Sequence, residues 1–118
     1  MKTKNTLLLT TIILLVSTIS VPADETDWVR GATLQNATVA RWNSATAANK
    51  LATCGNWIAA WEKAGLTAKK YGPLSDLRPD AEELRGCLNQ ALQGSRDTET
   101  VNPYAAICAS QLGILRQQ

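Results

Sequence analysis

The chain has 118 residues, with 12 lysines and arginines against 10 acids, no histidine and no phenylalanine. Without histidine it can build neither a Ser-His-Asp nor a Cys-His nucleophile system, and no zinc site that uses imidazole. The two excess positive charges are accounted for by Lys2 and Lys4, so the rest of the chain is neutral and sets up no strong field for nucleic acid or anionic lipid.

Residues 1–23 read as a secretory signal peptide. Lys2 and Lys4 supply the positive start, Leu7 to Val16 (LLLTTIILLV) the apolar run, and Val21-Pro22-Ala23 the small-residue exit, with cleavage expected after Ala23. The run is shorter than the roughly 20 residues that a spanning helix needs. Export to a periplasm or to the outside is the expected fate, with no membrane attachment after cleavage.

Residues 24–43 form a lead-in. Its first part, Asp24 to Thr33, is polar and without period, and reads as flexible; Thr38 to Trp42 (TVARW) suits a short leading helix or a capping segment. Residues 44–118 are expected to form the helical domain. The first main helix is predicted over about 44–64, with Ser44 as N-cap and Gly65 as stop. At about 100° per residue, Leu51, Cys54, Trp57, Ile58 and Trp61 share one face, with Asn49, Thr53 and Asn56 opposite. Gly55 interrupts it at a cost of about 1 kcal/mol relative to alanine. Lys50, near the apolar side, is expected to lay its stem along Trp57 with its ammonium in water. The Lys69-Lys70 pair that follows reads as part of a solvated loop before the Gly72-Pro73 turn.

A second helix is predicted over about 79–93, with Pro79 in its first turn and Asp80, Glu82 and Glu83 complementing its dipole. Its stripe runs through Ala81, Leu84, Leu88 and Leu92 to a stop at Gly94. The third is predicted over about 103–116, opened by Asn102-Pro103, with Tyr104, Ile107, Cys108, Leu112 and Leu115 facing inward. No strand-like alternation persists. The predicted fold is all-α: a small bundle of three main helices with a possible short leading one.

Three cysteines in an exported chain suggest one bridge and a spare thiol. Cys87 lies seven residues before Gly94 and Cys108 six after Asn102. In antiparallel helices rising about 1.5 Å per residue, those offsets set the two at nearly one height. Cys54 and Cys87 mismatch by roughly 4–5 Å on the same rise, so the predicted disulfide is Cys87–Cys108. Cys54 reads as a small core residue; the only hint of reactivity is Lys50, one turn back.

No catalytic residue, metal site or cofactor motif is readable. Glu82-Glu83 with Asp76 and Asp80 is the one carboxylate cluster, and adjacent helical positions point too far apart to frame a glycoside. The Asn36-Ala37-Thr38 sequon carries meaning only in a eukaryote. Trp28, Trp42, Trp57 and Trp61 are the candidate partner or ligand contacts. Periodicity places Trp57 and Trp61 in the core, whereas Trp28 and Trp42 lie outside a clear stripe and can serve as exposed anchors. The expected function is a non-catalytic module that binds another exported protein, as an inhibitor, immunity protein or accessory subunit. The alternative is a helical carrier holding a small apolar ligand between Trp42, Trp57 and Trp61.

Overall fold

The computed structural model describes residues 27–117. The expected leader and the first residues of the lead-in lie outside that range. Four helices follow in order: α1 (Val39–Ser44), α2 (Ala47–Lys63), α3 (Leu74–Ala91) and α4 (Asn102–Gln111). The described residues hold no strand, only the isolated antiparallel pairings Thr38–Thr100 and Thr67–Leu115. The all-α bundle with a short leading helix is thus the observed architecture. No helix among the described residues is long and apolar enough to cross a membrane.

Helix α2 starts later than the sequence suggests. Thr46, not Ser44, caps it, accepting from the Asn49 N–H at 3.1 Å, while Ser44 ends α1 and donates its hydroxyl to the Arg41 carbonyl. Thr38 caps α1 in the same way, accepting from the Arg41 N–H at 3.2 Å. Each threonine satisfies one of the amides left orphaned at a helix start.

Helix α3 begins at Leu74, five residues before the expected start, so Pro79 lies inside it. Proline forfeits a helical hydrogen bond and crowds the preceding turn. Against that cost stands the burial of Leu77, which extends the Leu84–Leu88 stripe by about two turns. Pro79 itself faces solvent. The early start also leaves Glu82 and Glu83 too deep in the helix to serve its dipole, and only Asp76 lies in the first turn. Helix α4 ends at Gln111, not at residue 116, because Gly113 takes φ +78°.

Helix α2 packs on α3, and α3 on α4. The core comprises Leu34, Trp42, Ile58, Leu77, Leu84 and Leu88, with smaller residues between them. Cys87 and Cys108 are bonded, with Cα atoms 6.0 Å apart, within the usual disulfide range. The expected pairing is correct, yet part of its reasoning is not. With α3 starting at Leu74, Cys87 stands thirteen residues from that start, against eleven between Cys54 and Gly65. Height therefore separates the two pairings less than the expected helix start implied. Direction provides a further distinction: Cys54 is sealed in the core, whereas Cys87 is half-buried and reaches α4.

The lead-in is fixed from Trp28 onward. Asn49 accepts from the Thr33 N–H at 3.0 Å and donates to the Thr33 hydroxyl at 2.8 Å. Thr53, fully buried, accepts from the Leu34 N–H, and Asn56 donates to the Val29 carbonyl. The polar face of α2 is thus an attachment rail for the preceding chain, and it gives the buried Leu34 N–H the partner it requires.

Candidate functional site

Three of the four tryptophans form a column. Trp42 stacks on Trp57 with centroids 6.2 Å apart and planes at 16°, and Trp57 on Trp61 at 6.5 Å and 12°. Trp42 is fully buried, and its indole N–H donates to Asn89 Oδ1 at 3.1 Å, tying α1 to α3. The Lys50 ammonium stands 5.8 Å from the Trp42 ring centroid instead of running out past Trp57, a cation–π contact. Trp57 is buried and Trp61 half-buried. The rings contact one another where the carrier reading would put a ligand. Trp42 is therefore a core residue in this structure, not an exposed anchor.

Trp28 is half-buried on the far side of α2, its six-membered ring against Gly55 and the Arg78 guanidinium 5.7 Å from its centroid. Its indole N–H is buried without a hydrogen-bond partner among the described residues. Cys54 is equally enclosed. Loss of solvation pushes its thiol up to about 12, with Arg85 only partly opposing. At neutral pH it is a protonated, apolar filler with no nucleophilic character.

The surface offers two further features. The first is a cleft of about 660 Å³ at one end of the bundle, whose charged walls are Lys63, Lys69, Lys70, Arg116 and Glu62. Its frame is two helix ends of the same kind. After α2, Gly65 takes φ +77°, its N–H bonds Glu62 O, and the Leu66 N–H bonds Trp61 O. After α4, Gly113 repeats the arrangement, with bonds to Ser110 O and from Ile114 to Ala109 O. Both are Schellman stops, which need a left-handed residue that glycine supplies without strain. The two exits then pair: the Ala68 N–H bonds Ile114 O and the Arg116 N–H bonds Leu66 O, each at 2.8 Å. This pairing carries Arg116 to the Lys69-Lys70 loop.

Tyr71 forms part of the cleft wall. Its N–H donates to Glu62 Oε2 and its hydroxyl to Asp80 Oδ2, both at 2.6 Å. Burial first, then the bond to Asp80, raises its pKa well above the ordinary tyrosine range. Asp80 also holds Lys69, at 3.6 Å. Lys63, Lys70 and Arg116 have no carboxylate within ion-pair distance among the described residues. The neutral charge balance favours a plain solvated loop at Lys69-Lys70, and a last helix continued past Gly113 keeps Arg116 away from it. Reading Gly65 and Gly113 as matched stops is the signal that would have brought Arg116 to this end.

The second feature is on α4. Its inner face is made of small residues, Ala105, Cys108 and Ala109, while Ile107 and Leu112, expected inside, are 55% and 38% exposed. Small residues and the disulfide bring α4 close to α3, and the bulkier side chains are left outside. Ile107 lines a shallow cleft with Pro103, Tyr104, Glu99 and Thr100. The rim is fixed, since the Tyr104 hydroxyl donates to Glu99 and Ser95 donates to Tyr104.

No protein-family model matches the chain, and neither a curated protein nor a solved structure does.

Proposed function

We propose that this chain is an exported interaction module of the inhibitor, immunity or accessory-subunit kind, which grips another protein through α4. The observation that carries this reading is the 55% exposure of Ile107, set one helical turn from Pro103 and Tyr104 on the same face. An apolar group of this kind with a polar rim is typical of protein-binding surfaces. The Cys87–Cys108 bond holds the strip in place through the residue next to Ile107, so little ordering entropy remains to be lost on binding. Export draws support from the leader pattern of residues 1–23 and from the disulfide, a bond that persists in oxidising compartments.

Chemical cross-linking of the protein in its native compartment, followed by mass spectrometry, tests the reading. A discrete adduct that disappears in Ile107→Asp is expected. Recovery of uncross-linked monomer alone would sink it, and a blue shift of tryptophan fluorescence with apolar ligands would favour a carrier instead.

A further inference from the structure

We propose that the cleft walled by Lys63, Lys69, Lys70 and Arg116 binds a short acidic segment of the partner protein. The inference rests on the reading of the chain as a protein-binding module and assigns the chemistry of a second contact.

Charge is the first ground. Of the four cations on this wall only Lys69 has an ion-pair partner, Asp80, among the described residues. The single lining carboxylate, Glu62, uses one oxygen on the Tyr71 N–H. Three cations thus line one concave site without a carboxylate partner among the described residues, on a chain that is close to neutral. Such a concentration steers and holds an oppositely charged group.

Rigidity is the second. Lys63 ends α2, and Arg116 belongs to the hydrogen-bonded pair of helix exits. Thr67 accepts no slack either, since its hydroxyl donates to the Lys69 carbonyl at 2.8 Å. The planar guanidinium of Arg116 suits a carboxylate approached in two-point fashion, and the Tyr71 ring with Ala59 and Ala68 gives apolar wall for the stems of glutamates.

The same wall disfavours other polyanions. Glu62 and Asp80 interrupt the positive surface, and Asp76, Glu82 and Glu83 add exposed negative charge on α3. A nucleic acid needs an extended basic track to neutralise a regular row of phosphates. A flat anionic membrane does not enter a concavity. A few carboxylates on a flexible segment fit both the size of the site and its mixed rim.

The test is a titration of the folded, oxidised protein with an acetylated hexaglutamate peptide, followed by NMR at the backbone amides. Saturable shifts confined to residues 62–71 and 114–117, weakening with added salt, are expected. Lys70→Glu and Arg116→Glu should each weaken binding by up to about fivefold, the range of an exposed ion pair, and Arg41→Gln should leave it unchanged. Circular dichroism checks that each variant is folded. Shifts scattered over the surface, indifference to both charge reversals, or stronger binding to inorganic phosphate or to phosphatidylglycerol vesicles would overturn the proposal. Capture of a partner through Ile107 with no hexaglutamate binding removes this inference alone; hexaglutamate binding with no captured partner removes the functional reading instead.

Discussion

The Trp28 indole fills the space that a side chain at Gly55 would need: a Cβ there would stand 2.6 Å from Cη2 and 2.6 Å from Cζ3 of the ring, and 3.2 Å from Val29 Cγ1. The glycine that weakens α2 as a helix is what allows the lead-in to lie on it. Gly55→Ala therefore sets about 1 kcal/mol of gained helix propensity against loss of the Trp28 packing, which is worth more for an aromatic ring of this size. The expected outcome is a net loss of about 1 kcal/mol in urea unfolding, with a red shift of fluorescence as Trp28 moves into water. A more stable protein with unchanged emission would contradict the packing.

The tryptophan column divides into a sealed end and an open one. Trp42→Ala removes a fully buried indole and leaves Asn89 without its donor, so a loss of about 3–5 kcal/mol is expected, enough to unfold a small domain. Trp61→Ala, at the half-buried end, should cost distinctly less. Thermal unfolding followed by circular dichroism distinguishes the two, and equal losses would mean that the column is not graded in this way.

Cysteine chemistry separates the buried Cys54 thiol from the Cys87–Cys108 disulfide. In the oxidised protein Cys54 should resist an aromatic disulfide reagent at pH 8 and react only after denaturation, because burial holds it protonated. Replacing Cys87 and Cys108 together by serine should cost about 3 kcal/mol in the chain-entropy model for a loop of this length. Rapid labelling of Cys54 in the native state would show that the core is open.

Both arms of the pH profile have an assigned group. The Tyr104 hydrogen bond, opposed by desolvation and helped by Arg96, holds the Glu99 carboxyl below its ordinary range. A depressed folded pKa means stability that is present above the unfolded carboxylate value and is lost as pH falls through the folded one. Tyr104→Phe should therefore flatten the acid arm. Tyr71 acts in the opposite sense: its raised pKa gives stability that is complete below the ordinary tyrosine value of about 10 and declines as pH climbs beyond it. Tyr71→Phe should soften that alkaline decline. Melting temperatures measured across pH in the two variants check both signs.

Much of the fold was legible in the sequence because it depends on helical periodicity. The α2 stripe from Leu51 to Trp61 and the α3 stripe from Ala81 to Leu92 are set by side-chain size and spacing alone. The Cys87–Cys108 pairing is legible because α3 and α4 are consecutive helices that pack on each other. What escaped depends on tertiary partners. Pro79 looked like a helix start because its local cost is visible and the burial of Leu77 is not. Thr53 and Asn49 looked like a solvated face, since only the folded chain shows Thr33 and Leu34 lying on them. The basic cleft escaped for a related reason: Lys69 and Arg116 are far apart in sequence and meet only through the paired exits of α2 and α4. The inward placement of Ile107 failed because Ala105 and Ala109 fit the narrow gap against α3 better.

The most direct measurement places a photoreactive benzophenone side chain at position 107 and irradiates the protein in its native compartment. A single partner protein covalently joined at that position, absent when the same group replaces Gln90 on α3, is the expected result. Irradiation that yields only monomer from position 107, or the same adducts from both positions, would contradict a partner-binding surface on α4.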